Sequence, residues 1–133
     1  MLYSFKFTVP KQTSKQDPAK LNVTIHKGVV KTVRIVIPFG HMAKAGMQIR
    51  YGETVVLPVG SENWIYGNNE IIEDEWFWEI DKRSETFTLV GYNESDSYDH
   101  TFIVRFLVVP PEIVPPEIMP RKIKQVIKEL TGK

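Results

Sequence analysis

Cysteine is absent from this chain of 133 residues. Its absence excludes disulfide frameworks, thiolate zinc sites, iron–sulfur clusters and cysteine nucleophiles, and it leaves the redox compartment open. Burial alone must therefore stabilise the core, and a chain of this length buries roughly two-thirds of its unfolded surface on folding. Long apolar runs are missing too, and Met1–Pro10 lacks a basic start. Neither a membrane span nor a signal peptide is predicted.

Motifs of catalysis and metal binding are missing as well. No Gly-x-Ser-x-Gly, phosphate-loop or dinucleotide pattern occurs. The three histidines, His26, His41 and His100, lie far apart and have no metal-ligand spacing. The acids within residues 73–81 flank two tryptophans, as in a sugar-cleaving site, but acids on the solvent side of a strand are the commoner arrangement. We therefore predict no enzymatic activity, no metal and no cofactor.

Neither sign of charge predominates over the whole chain, because the net charge is +1. It is unevenly distributed: residues 1–50 sum to +8, residues 51–109 to −9 and residues 110–133 to +2. A basic half matched by an acidic half does not indicate nucleic-acid binding. The two halves either interleave in a sheet or form opposite faces that attract neighbouring copies, and the sequence leaves both alternatives open.

The residues that are present indicate one soluble domain, with 42% apolar and 25% charged residues. Residues 1–109 are rich in β-branched and aromatic types, interrupted by glycine, proline, asparagine and aspartate. Tyr3–Val9 alternates as a half-buried strand does. The pattern predicts an all-β domain of about eight strands, arranged as a two-sheet antiparallel sandwich of jelly-roll type. Immunoglobulin-like and other Greek-key sandwiches are the alternatives.

Two regions of this domain are each predicted to contain two separate strands. His26-Lys27-Gly28 is expected to be the turn before a strand at Val29–Ile37, because glycine follows an alternating run. Further along the chain, Glu70–Ile80 and Thr86–Tyr92 are expected to be separate strands.

The C-terminal residues differ in composition from the domain. Residues 110–120 contain five prolines and repeat Pro-Pro-Glu-Ile, which predicts an extended arm. Residues 121–131 have the apolar spacing of a short amphipathic helix, which is marginal on its own. We expect the arm to reach a neighbouring subunit. A tail that packs on its own domain or stays disordered is the alternative, and a membrane contact is not expected. The expected partner-binding residues are Ile113, Val114, Ile118, Met119, Ile123, Val126, Ile127 and Leu130.

Four aromatic residues admit two interpretations. Trp76 and Trp78 share one face of a strand, and Trp64 and Tyr66 lie in a short aromatic segment before it. Packing in the core or at a subunit interface is the first interpretation. The second is a platform on which sugars stack, as in carbohydrate-binding modules.

Several turn markers within residues 20–110 carry a resemblance to a known group of proteins. They are His26-Lys27-Gly28, Pro38-Phe39-Gly40, Arg50, Pro58, Trp64-Ile65, Gly67, Asn93, His100 and Val109-Pro110. In these positions the chain resembles small jelly-roll or β-sandwich structural proteins of tailed phages and archaeal viruses, which decorate or join the virion. The resemblance implies oligomeric assembly on a capsid or tail without catalysis.

The sequence therefore leads to the hypothesis of a virion structural protein that decorates or cements a capsid. Its expected partners are further copies of itself, with a trimer as the first expectation, and a major capsid or other virion protein. The alternative is a carbohydrate-binding or receptor-binding module that uses its aromatic strand.

Overall fold

The computed structural model describes residues 1–59 and 63–111. This part of the chain contains strands, turns and loops but no α-helix, and its strand pairs are antiparallel. The predicted all-β class is confirmed. The strands are β1 (Leu2–Val9), β2 (Ala19–Ile37), β3 (Ala45–Tyr51), β4 (Thr54–Leu57), β5 (Ile65–Tyr66), β6 (Glu70–Asn93) and β7 (His100–Val109).

The strands are hydrogen-bonded in the order β1-β7-β2-β6-β3-β4, and β5 pairs with β3. The two long strands, β2 and β6, each have two halves with different neighbours. The second half of β2 lies between β7 and the first half of β6, whereas the second half of β6 lies between the first half of β2 and β3. The β2–β6 register shifts between His26 and Gly28, and such an irregularity bends a strand and increases its twist.

The predicted turn at residues 26–28 is wrong, because these residues lie inside β2. A Cβ atom added at Gly28 would lie 2.6 Å from the side chain of Val108, so glycine is required there for close packing against β7. Glycine between two alternating runs is typical of turns and of strand irregularities alike. The predicted separate strands at 70–80 and 86–92 are likewise parts of one continuous strand, β6.

The core lies on the inward-facing residues of the sheet, where aromatic rings meet. Phe87, in the second half of β6, has its ring centroid 5.6 Å from that of Trp76 and 5.8 Å from that of Phe106 on β7. All three side chains are at most 1% exposed. The two halves of β6 and strand β7 therefore contact one another through these rings, which bury large apolar areas.

The basic and acidic parts of the chain are neighbours in the sheet. Strand β2 carries bases and pairs with the acidic first half of β6. Arg34 Nη2 donates to Glu73 Oε2 at 2.9 Å, and both side chains are about half exposed. An exposed pair of this kind contributes at most about 1 kcal/mol. At this position the two charges interleave instead of forming opposite faces.

The predicted arm and helix, at residues 110–120 and 121–131, lie outside the described residues beyond Pro111. The eight expected partner-binding residues, from Ile113 to Leu130, lie outside them as well. These expectations stay predictions.

Candidate interaction surface

The four aromatic residues do not form one platform. Trp76 and Trp78 are each 1% exposed, because alternate residues of β6 point into the core. The interpretation that these two side chains stack on a sugar is therefore wrong, and the core interpretation is confirmed for them. Trp64 packs edge-on against Tyr92 with ring centroids 4.9 Å apart, and Tyr66 is 58% exposed on β5.

Two acidic side chains that precede the tryptophans in the sequence are exposed, whereas the two indole rings are buried. Glu73 and Glu75 are exposed and alternate with the buried tryptophan positions of β6. A buried carboxylate does occur at Glu85, whose Oε2 accepts a hydrogen bond from Trp78 Nε1 at 3.3 Å. Burial raises the pKa of the neighbouring Tyr51, and the charge of Glu85 raises it further. Nothing in the sequence pattern distinguished Glu85 from the exposed acids around it.

Two histidines that are far apart in the sequence meet in the structure. The rings of His41 and His100 have centroids 4.5 Å apart. His41 Nε2 donates to the carbonyl oxygen of Thr101 at 3.0 Å, and its Nδ1 is buried without a hydrogen-bond partner among the described residues. Burial lowers the pKa of His41, and the charge of His100 lowers it further; burial also lowers the pKa of His100.

This histidine pair predicts a loss of stability in acid. Both groups have a folded-state pKa below the ordinary value of 6.5, so folding favours the neutral rings. The full stability is present above about pH 6.5, and it falls as the pH drops below that value because the unfolded chain binds protons more readily. The nearby charges oppose each other at His100, because Asp99 raises its pKa and Lys44 lowers it. Thermal unfolding between pH 7.5 and 4.5 should show a falling Tm.

A matched set of variants separates this histidine pair from other acid effects. His41→Gln together with His100→Gln should flatten the decline of Tm with pH. His26→Gln, which changes an exposed histidine in β2, should preserve the decline. If Tm falls equally steeply with pH in the double variant and in the native chain, the acid sensitivity belongs to other groups.

A groove of about 620 Å³ opens beside the middle of β2 and β6. Apolar side chains such as Ile80 and Val108 line it together with the charged Lys27 and Asp81. Pro110 and Pro111, the last residues described, also line it. The chain therefore leaves the sheet at this groove.

One outward-facing surface crosses the four strands β1, β7, β2 and the first half of β6. Because alternate residues of a strand share one face, the pairing registers align their outward residues in three rows. We call this surface the outer face. Its rows are Leu2, Leu107, Thr32 and Glu75; Ser4, Arg105, Arg34 and Glu73; and Lys6, Ile103, Val36 and Ile71.

The outer face exposes large apolar side chains on both sides of a central charged row. Leu2 and Ile71 are each 60% exposed and Leu107 is 36% exposed, and Val36 and Ile103 are half-buried. Clusters of exposed apolar side chains with polar neighbours are typical of protein interaction sites. The sequence carried a signal for it, because apolar residues occupy both alternating sets in β2 and β7 and one set must face outward.

Within residues 1–59 and 63–111, no three histidine, cysteine or acidic side chains converge as metal ligands. In the same ranges no helix has the length and apolar character needed to cross a bilayer. The chain matches no protein-family model and no curated protein sequence.

Proposed function

We propose that this protein is a non-enzymatic structural protein of a virion, which decorates or cements a capsid. It forms oligomers through its β-domain and ties itself to a neighbouring protein through its C-terminal arm. The observation that carries the proposal is the outer face, where Leu2 pairs with Leu107 in one row and Ile71 continues an apolar row with Val36 and Ile103. Exposed apolar side chains of this kind favour burial against another subunit. A trimer closed by head-to-tail contacts is the first arrangement to test.

The strand order supports a two-sheet jelly roll as the finer description of the fold. When each long strand is counted as two and the two-residue strand β5 is left out, the described residues contain eight strands, as a jelly roll does. One sheet then contains, in order, β1, β7, the second half of β2 and the first half of β6. The other contains the first half of β2, the second half of β6, β3 and β4. Numbered 1 to 8 along the chain, these orders are 1-8-3-6 and 2-7-4-5, which is the jelly-roll order. The ring contacts from Phe87 to Trp76 and Phe106 support packing of one sheet on the other. This architecture agrees with the resemblance to virion proteins.

Replacing Ile71 by lysine should disrupt assembly. Ile71 lies at the end of an apolar row with Val36 and Ile103, and a lysine there would lose its hydration when a partner covers the face. Light scattering of the full chain at physiological and high salt should give the mass of an oligomer for the native protein and a monomer for Ile71→Lys.

A matched control is available on the other half of β2. Leu21 is 38% exposed and pairs with Leu89, away from the outer face. Leu21→Lys should leave the oligomer mass unchanged. A native chain that stays monomeric at both salt concentrations, alone and with a candidate shell protein, contradicts the proposed function.

A further inference from the structure

A small hollow lies within the outer face and combines apolar walls with two arginines. It has a volume of about 190 Å³ and is lined by Leu2, Leu107, Thr32, Arg34, Arg105 and Glu73. A dry apolar cavity of about 150 Å³ is large enough for benzene. The hollow therefore has room for one aliphatic side chain beside its charged groups.

The charges in the hollow are incompletely matched. Arg34 lies directly opposite Arg105 in the β2–β7 register, and like charges in that position destabilise a sheet. Glu73 forms an ion pair with Arg34 at 2.9 Å. Within the described residues no salt bridge is formed by Arg105. The hollow is therefore complementary to a ligand that carries one carboxylate next to an apolar side chain.

We propose that this hollow binds Glu117 and Ile118 of a neighbouring copy. The carboxylate of Glu117 pairs with Arg105, and Ile118 packs between Leu2 and Leu107. This inference rests on the proposed function and names the segment that ties one subunit to the next. The segment has the required chemistry, because residues 110–120 contain two acids, no base and three isoleucine or valine residues. An arginine and a carboxylate form a strong, directional pair.

The geometry of the chain favours a neighbour over the same subunit. The arm leaves at the end of β7, only a few residues beyond Leu107. Ile118 is the seventh residue after Pro111, and seven residues of a polyproline helix span about 20 Å. To return to its own hollow the arm would have to reverse direction, whereas five prolines within residues 110–120 fix φ and favour an extended chain. An arm already stiffened by proline also loses less entropy on binding.

Charge reversal with rescue tests this contact in the full chain. Arg105→Glu should weaken association by about tenfold or more, because it places two carboxylates together. Glu117→Arg should weaken it similarly. The two substitutions combined should restore association, as measured by light scattering over a concentration series. The matched control is Arg105→Glu combined with Glu112→Arg, which alters the first Pro-Pro-Glu-Ile repeat and should restore nothing.

The possible outcomes separate this inference from the proposed function. If the native chain assembles but Glu117→Arg fails to rescue, or Glu112→Arg rescues equally, the inference is overturned and the proposed function stands. If the native chain is a monomer throughout, both are overturned.

The cysteine-free sequence allows a second measurement with Leu107→Cys and Ile118→Cys in one chain. Oxidation should give covalently linked subunits, with Ile118→Cys alone as control, and a disulfide within one chain would overturn the inference.

Discussion

Phe87→Ala should lower the free energy of unfolding by about 3–5 kcal/mol, the range for removing a buried phenylalanine ring. Phe87 is fully buried. Its ring centroid lies 5.4 Å from that of Trp78 and 5.6 Å from that of Tyr51, in addition to the contacts with Trp76 and Phe106. These neighbours come from three different strands, so they cannot collapse together into the space that the substitution leaves.

Urea denaturation followed by tryptophan fluorescence measures this effect directly, because Trp76 and Trp78 contact the ring. The control is Phe39→Ala, since Phe39 is 79% exposed after the end of β2. It should change the free energy of unfolding by less than about 0.5 kcal/mol. Similar losses for the two variants would mean that Phe87 does not occupy the centre of the core.

Asn93→Ala should cost about 3 kcal/mol, because it removes three hydrogen bonds and leaves buried groups unpaired. Asn93 is fully buried. Its Nδ2 donates to the carbonyl oxygens of Val9 at 3.1 Å and Tyr98 at 2.9 Å, and its Oδ1 accepts from Ser95 N at 2.9 Å. One side chain thus joins the end of β1 to the loop before β7.

The comparison of Asn93→Asp with Asn93→Ala tests the role of the amide. Aspartate keeps the acceptor for Ser95 but loses both donated bonds and buries a charge, so it should destabilise the protein at least as much as alanine. Asn22→Ala serves as the control, because Asn22 is exposed and accepts one bond from Thr88 at 2.8 Å. It should cost less than about 1 kcal/mol. A tolerated Asn93→Asp would show that the network is not essential.

The local patterns were sufficient for much of the fold. The alternation in Tyr3–Val9 predicted a strand that the structure places at Leu2–Val9, and Trp76 and Trp78 were correctly placed on one face. Pro58 directly follows the edge strand β4, as expected of a residue that cannot donate a hydrogen bond to a strand ladder. The alternation depends on the two-residue repeat of a strand, which can be recognised from residues that are neighbours in the sequence.

The candidate site was predictable only in part. The outer face depends on Ile71, Val36 and Ile103, which come from three strands and align only through the pairing registers. The contact between His41 and His100 likewise depends on long-range packing. No spacing in the sequence encodes either arrangement. The continuity of β2 through Gly28 was misjudged for a related reason, because a glycine that packs closely against β7 and a glycine in a turn have the same local sequence context.

By itself, the sequence determined the strand class, most strand positions and the alternation of buried and exposed residues. It also determined the chemistry of residues 110–131, with five prolines, three acids and no glycine. Only the tertiary structure decided which apolar residues face water, which charges become neighbours and that Arg105 lies beside Leu2 and Leu107. The physical reason is that side-chain alternation is a property of each strand alone, whereas the register between strands is set by burial of the whole core.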